Sequence, residues 1–238
     1  MILHIESLPV WEGTYQSPNK GITKEFDLIF NEEISVFQQK KIFKISYQDA
    51  NYQFITAPPG NSSYANSLGN RYINDILDLV AGKSIKNVLE IGAGSNYIAK
   101  GIYRMNPYSS ATLVDPAIRD NDFDKIKILN DYFPSNRLKK NKFDLIYSLN
   151  TIEHVENPLE FLVNVREYMD EKSDLIFVFP VIEEQLKRGD IGSFLHEHIN
   201  YFSKKSASNL FKNCGFEIIK ENFRNDEIIL HCKKSMPK

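Results

Sequence analysis

From residue 64 onward the apolar positions keep two alternating rhythms. Leu68, Tyr72, Ile73, Ile76, Leu77 and Val80 recur at three- and four-residue steps, which predicts a helix over Tyr64–Val80 that Gly82 ends. Short apolar runs then alternate with amphipathic stretches. The runs predict strands at Asn87–Ile91, Ala111–Asp115, Lys127–Leu129, Phe143–Leu149 and Asp174–Phe179. Helices are predicted from about Asn96 to Met105 and from Pro158 to Met169, with Pro158 suited to a first turn. A third follows Ser203 as N-cap, runs through Asn213 and stops at Gly215. The chain closes on a predicted hairpin, Glu217–Phe223 and Glu227–Cys232, turning at Asn225-Asp226. Strand–helix alternation that ends in an antiparallel pair predicts an α/β protein with a doubly wound, mostly parallel sheet and an antiparallel C-terminal strand.

The first part of the chain has a different texture. It holds the only tryptophan, Trp11, and two candidate strands, Phe26–Phe30 and Lys41–Tyr47. Turn formers crowd Thr56-Ala-Pro-Pro-Gly-Asn-Ser-Ser63, which reads as a connector. Two units are therefore expected: an N-terminal cap or subdomain over 1–57 and a main domain over 58–238. No internal repeat and no low-complexity tract interrupts them.

Composition narrows the function classes. A net charge of −2 gives no global field to attract nucleic acid or an acidic membrane surface. The basic cluster Lys139-Lys140-Asn141-Lys142 reads as a solvated loop. No apolar run reaches the length of a membrane span, and Met1-Ile-Leu-His-Ile-Glu lacks the layout of a signal peptide. The two cysteines, Cys214 and Cys232, lack CxxC spacing and sit in apolar surroundings. Buried free thiols are expected, which suits a reducing cytoplasm. Oligomeric state leaves no mark in the sequence.

The chemistry concentrates in Val88-Leu-Glu-Ile-Gly-Ala-Gly-Ser-Asn-Tyr97. An apolar strand ends in an acid and two glycines one residue apart, and a helix follows at once. Glycines there let the backbone pass close to a ligand. The next strand ends in Asp115, where a ribose diol would be held. A nucleoside-containing cofactor is thus expected across the edge of a parallel sheet. A dinucleotide site wants a third glycine three residues after the second, and that position is Tyr97. Glu90 would repel a pyrophosphate but would suit an ammonium group. The expected ligand is a nucleoside bearing an amino acid.

On these residues the chain resembles the class I S-adenosylmethionine-dependent methyltransferases, which are Rossmann-like. Val88–Gly94 is similar to their glycine-rich first motif, and Leu113-Val-Asp115 to their ribose-binding acid. Asn130-Asp-Tyr-Phe133 resembles the adenine-contacting segment, and Phe143–Val155 the fourth-strand motif. The similarity covers roughly residues 64–232. Asn96 stands where the family often has another glycine, and asparagine's tolerance of positive φ would keep the turn. The resemblance implies S-adenosylmethionine as cofactor and S-adenosylhomocysteine as product. It places Gly92, Ala93 and Gly94 under the methionine moiety and Glu90 on its amino group. It puts Asp115 at the ribose and Asp131 and Tyr132 at the adenine, and counts Pro116 and Asn150 among the cofactor-binding residues.

A second resemblance concerns the acceptor. His196-Glu-His-Ile-Asn-Tyr-Phe-Ser203 is similar to the C-terminal signature of sugar C-methyltransferases, which act on nucleotide-linked keto-deoxysugars. It implies that His154, His196, Glu197, His198 and Tyr64 surround the acceptor. His198 or His154 would be the base, with Glu197 and Tyr64 orienting groups or stabilising an oxyanion. Those enzymes often carry an N-terminal zinc module with paired cysteines, whereas residues 1–57 contain no cysteine. O-methylation of a sugar or of another small metabolite therefore stands beside C-methylation, and a non-catalytic cofactor-binding module beside both. Partners are expected to be a small polar acceptor, a nucleotide-sugar or surface-polysaccharide precursor above all, with neither nucleic acid nor membrane. His196-Glu-His198 also admits two other readings: metal ligands with His154 as a third, or helix-entry residues without chemistry. The acid–base reading is preferred and no metal is assigned.

Overall fold

Two sheets carry the chain, and the larger follows the predicted alternation. The computed structural model describes residues 3–10, 22–43, 46–47, 62–118, 123–190, 192 and 194–235. The N-terminal strands are β1 (Leu3–Pro9), β2 (Thr23–Asn31) and β3 (Val36–Gln39). Then come α1 (Ser63–Leu79), β4 (Asn87–Ile91), α2 (Tyr97–Met105), β5 (Ser110–Val114), β6 (Ile126–Leu129) and β7 (Leu145–Leu149). A 3-10 turn, Ile152–His154, leads into α3 (Pro158–Glu167) and β8 (Asp174–Pro180). The rest is α4 (Glu183–Arg188), β9 (Asn200–Tyr201), α5 (Lys204–Asn213), β10 (Phe216–Arg224) and β11 (Glu227–Lys234).

The seven-stranded sheet runs β10-β11-β8-β7-β4-β5-β6. β6, β5, β4, β7 and β8 are parallel, and β11 and β10 close the other side antiparallel. The chain winds outward from β4 in one direction and from β7 in the other. The gap between their C-terminal ends is a topological switch point, where ligands bind in such sheets. Central strands covered on both faces read as continuous apolar runs, and all but the last residue of Asp174–Pro180 is buried.

Local chemistry sets the ends of the helices. Ser62 Oγ accepts a hydrogen bond from Ala65 N at the start of α1. Asn157 does the same for Glu160 N, with Pro158 at the first position of α3. Ser203 and Ser206 form a reciprocal capping box on α5. α1 turns Tyr72, Ile73 and Ile76 onto Ile98, Ala99 and Ile102 of α2 above one face of the sheet. The other face packs under α3 and α5, with Phe161, Leu162, Phe177, Phe179 and Phe211 at its centre. Each fully buried side chain of this size contributes on the order of 1.5–3 kcal/mol by leaving water.

The N-terminal strands depart from expectation. The candidate strand at Phe26–Phe30 lies inside β2, but Lys41–Tyr47 is not one: residues 41–43, 46 and 47 are bends, turn or coil, and 44–45 lie outside the described residues. The strand falls at Val36–Gln39 instead, where Val36 and Gln39 are buried, while Ile42, Phe43 and Tyr47 face a cavity. The smaller sheet runs β1-β2-β3-β9. Its last strand, Asn200–Tyr201, comes from the far end of the sequence, so backbone pairing ties residues 3–39 to the main domain. Trp11 and the boundary placed at residue 57 lie outside the described residues, as does most of the connector Thr56–Ser63.

Candidate active site

A cavity of about 880 Å³ opens at the switch point, over the C-terminal ends of β4, β5 and β7. α1 covers one side of it through Ala65, Leu68, Gly69 and Tyr72, one helical stripe at steps of three and four. Residues 42–43, 47, 197 and 199 close the far side.

The glycine turn forms the floor. Gly92 has φ +75° and Gly94 φ +61°. A Cβ on Gly92 would sit 2.0 Å from Thr151 Oγ1, so the tips of β4 and β7 touch there and leave no room for a side chain. A Cβ on Gly94 would meet nothing within 4 Å, so its backbone is bare toward the cavity. Asn96 does not take the positive φ expected of it. It is the N-cap of α2 with φ −87°, since the two glycines have already made the turn.

Asp115 stands just past β5 and joins the two tips. Its Oδ2 accepts from Gly94 N at 2.9 Å, and its Oδ1 from Ala117 N and Ile118 N at 2.7 and 3.0 Å. The carboxylate is therefore fixed in place, and its remaining lone pairs face a cavity that it lines. Glu90 lines the same cavity and is 2% exposed. It accepts a hydrogen bond from Tyr147 Oη at 2.8 Å, across the β4–β7 register that pairs the two residues. Burial pushes the Glu90 carboxyl well above the usual carboxylate range, opposed by the tyrosine hydrogen bond and assisted by the charge of Asp115. A cation bound beside it would reverse that balance.

The remaining expected residues divide. Ala93, Pro116, Tyr132, Asn150, His154 and Glu197 line the cavity. Asn150 adopts φ +48° after β7 and donates to the Tyr72 hydroxyl, which in turn donates to Glu227 of β11. Asp131 does not line the cavity. Its carboxylate accepts from Tyr132 N and Ser135 Oγ and so closes its own turn, leaving Tyr132 and Phe133 to face inward. Tyr64 is also misplaced: it is 78% exposed, one position off the stripe of α1 that faces the cavity. Tyr72, two turns along, is the tyrosine of that helix in the wall. His196 is buried beneath the N-terminal sheet, edge-on to Phe26 and Phe43, and is not part of the lining.

His154 and His198 do come together, with ring centroids 4.9 Å apart in an edge contact. His154 sits on the cavity wall, with His198 behind it. The carbonyl of Glu197 lies 2.9 Å from His154 Nδ1. The Tyr47 hydroxyl, which can accept as well as donate, stands 3.1 Å from the same nitrogen. A carbonyl only accepts, so the closer Glu197 contact puts the proton on Nδ1 and leaves a lone pair on Nε2. Burial lowers the His154 pKa to about 4, against the pull of that carbonyl, and lowers His198 to about 3 with help from His154. Both rings are neutral at pH 7. Behind them lies Glu153, 1% exposed, a residue the sequence argument overlooked. Burial raises its carboxyl to about 8. Its place beside His154 in an apolar strand-to-helix segment was its only sequence signal.

Gln39 of β3 holds this corner. Its amide nitrogen lies within 3.2 Å of the carbonyl oxygens of Leu195, His196 and His198. Asn200 Nδ2 donates to the carbonyls of Ile152 and Val155, and Ile199 N to that of Glu153. The 3-10 turn and the 195–200 segment are thus clamped together.

A switch-point cavity with a glycine-turn floor and acids at neighbouring strand tips defines a nucleoside-cofactor enzyme of the doubly wound class. A family model described as "Methyltransferase domain" matches residues 64–221, and the chain belongs to that family. No curated protein sequence matches it. Among solved structures it is similar to the N-methyltransferase NodS of Bradyrhizobium japonicum in complex with S-adenosylhomocysteine. That match has a TM-score of 0.59 at 12% identity and covers 80% of this chain and 99% of that one. A SAM-dependent methyltransferase from Aquifex aeolicus aligns with a TM-score of 0.54 at 14% identity, over 68% and 89% of the two chains. The [4+2]-cyclase SpnF aligns with a TM-score of 0.61 at 12% identity, over 76% and 85%. At such identities the likeness is one of fold. The cyclase shows that this fold also carries names other than methyltransferase.

Proposed function

We propose that the protein transfers a methyl group from S-adenosylmethionine to a small polar acceptor bound against His154. One observation carries the reading: a single cavity has a cofactor-type floor at one end and a histidine wall at the other. Gly92, Gly94, Glu90 and Asp115 form the floor, and Tyr132 flanks it. In this reading Glu90 takes the donor's ammonium and Asp115 its ribose hydroxyls. About 880 Å³ lies toward the upper end of small-molecule sites, which leaves room for an acceptor beside the donor.

In the transfer, the acceptor atom forms a bond to the methyl carbon as the carbon–sulfur bond breaks. The electron pair of that bond goes to sulfur, and S-adenosylhomocysteine leaves. An acceptor hydroxyl, or a carbon next to a ketone, must also lose a proton, and the His154 corner is where the wall can receive it. A sugar is the acceptor class that His196–Ser203 points to. The described lining residues include Glu156 and Glu197 but neither Lys nor Arg. A sugar whose diphosphate, if it has one, lies outside the cavity fits that wall best.

Calorimetric titration with S-adenosylhomocysteine tests the floor, with NAD as the contrasting ligand. Saturating S-adenosylhomocysteine should raise the melting temperature, and Asp115→Ala should weaken its binding at least tenfold without loss of fold. Stabilisation by NAD alone would refute the cofactor assignment. Nucleotide-sugars and free sugars, tried as acceptors with labelled donor, then separate the acceptor classes.

A further inference from the structure

We propose that Glu153, His154 and His198 bind one divalent transition-metal ion, Zn²⁺ by preference, at the acceptor end of the cavity. The ligand set conceivable from sequence was His196 and His198 with His154 as a third, and no metal is assigned on that basis. The fold discards His196 and supplies Glu153, which changes the ligand set to two histidines and a carboxylate.

One ligand atom from each of the three residues lies within 4.8 Å of the other two. Glu153 Oε1 and His154 Nε2 are 3.7 Å apart. That is too long for a hydrogen bond. Two atoms about 2.1 Å from a common tetrahedral ion stand roughly 3.4 Å apart, so 3.7 Å suits a shared ion closely. Glu153 is 1% exposed, and its Oε2 has no hydrogen-bond partner among the described residues. A buried carboxylate oxygen left in that state is costly unless something occupies it.

The surroundings are those of a ligand shell. Metal-bound histidines characteristically donate their second ring nitrogen to a carbonyl or carboxylate, which fixes the tautomer and aims the lone pair. The Glu197 carbonyl does this for His154 Nδ1. Gln39 and Asn200 pin the backbone on which His198 and Glu153 are carried. Two histidines and one carboxylate suit Zn²⁺ and leave at least one coordination position open; of the three ligands, His154 is the one that borders the cavity. With the ion bound, His154 Nε2 is a ligand and takes no proton; an acceptor oxygen in the open position would instead have its own proton made more acidic and its lone pairs oriented. This use of the ion rests on the methyltransferase reading; the binding of the ion does not.

Chelator-stripped protein titrated with Co²⁺ and then Zn²⁺ tests the proposal. One equivalent of Co²⁺ should give visible d–d bands that Zn²⁺ abolishes. Glu153→Gln and His198→Gln should each weaken binding at least tenfold while circular dichroism stays unchanged. His198→Gln is the second probe should Glu153→Gln fail to fold. His4, Glu25 and Asp27 form another cluster, on the surface, so His4→Gln is the control and should leave the titration unaltered. Absence of a saturable site, or a site lost in His4→Gln and retained in His198→Gln, would overturn the proposal. S-adenosylhomocysteine affinity, measured on the same preparations, reports separately on the cofactor floor.

Discussion

Two glycines two residues apart do different work, and substitution should separate them. Gly92 is fixed twice, by its φ of +75° and by Thr151, whose Oγ1 a Cβ would approach to 2.0 Å. Positive φ costs an alanine about 1–2 kcal/mol, and overpacking adds about 1–3 kcal/mol. Gly92→Ala should therefore lower unfolding free energy by about 3 kcal/mol in denaturant titration. In a Thr151→Gly background, where the overlapping atoms are gone, the same change should cost about half as much. Equal losses in both backgrounds would show that Thr151 is not what excludes the side chain. Gly94 has the φ but no neighbour. Gly94→Ala should cost about 1–2 kcal/mol in stability, with the larger loss in S-adenosylhomocysteine affinity, because the new methyl projects into the cavity.

At the scale of elements, the acceptor corner depends on a strand that never reaches the cavity. β3 supplies Gln39, 6% exposed, whose amide bridges the carbonyls of the 195–198 turn. Gln39→Leu should strand those carbonyls and cost about 2–3 kcal/mol. It should also slow methyl transfer while leaving S-adenosylhomocysteine affinity within about twofold, since Glu90, Gly94 and Asp115 sit on other elements. A parallel fall in cofactor affinity would mean that the N-terminal sheet supports the whole cavity and not this corner alone. The same contrast explains what the sequence could tell. Strands such as Asn87–Ile91 and helices such as Lys204–Asn213 carry their own periodicity and caps, and the structure has them where the pattern put them. The floor was legible because Glu90, Gly92, Gly94 and Asp115 lie at the ends of such strands. The acceptor corner was not. Gln39 meets His198 across 159 residues of sequence, and Glu153 is brought to His198 by a turn and a loop without periodicity, so the pattern shows nothing of the cluster. Tyr64 and Tyr72 are both tyrosines of α1, and only the helix's rotation, set by packing on α2, decides which one faces the cavity.

Across the whole molecule, the sheet separates stability from chemistry by its two edges. The C-terminal ends of β4, β5 and β7 leave polar groups facing the cavity, whereas the opposite edge is closed by charge pairing. Asp174, at the start of β8 and 3% exposed, is met by His231 Nε2 at 2.6 Å and by Lys83 Nζ at 2.8 Å. Lys233 Nζ stands 3.1 Å away. Burial alone would raise the Asp174 carboxyl, but hydrogen bonds from His231, Lys83 and Lys233 outweigh it and hold the pKa at about 2. A carboxylate whose folded pKa lies below its unfolded value of about 3.9 stabilises the fold above that value. The contribution is lost as pH falls from about 4 through 2, as the carboxylate takes up a proton. The difference in unfolding free energy between the wild-type protein and Asp174→Asn should hold steady from pH 7 to 5 and shrink toward pH 2. No cavity residue lies in this network, so S-adenosylhomocysteine affinity at pH 7 should be the same in both proteins. A stability difference that stays constant down to pH 2 would place the acid sensitivity elsewhere in the molecule. A fall in cofactor affinity in Asp174→Asn would show that the two edges are coupled through β8.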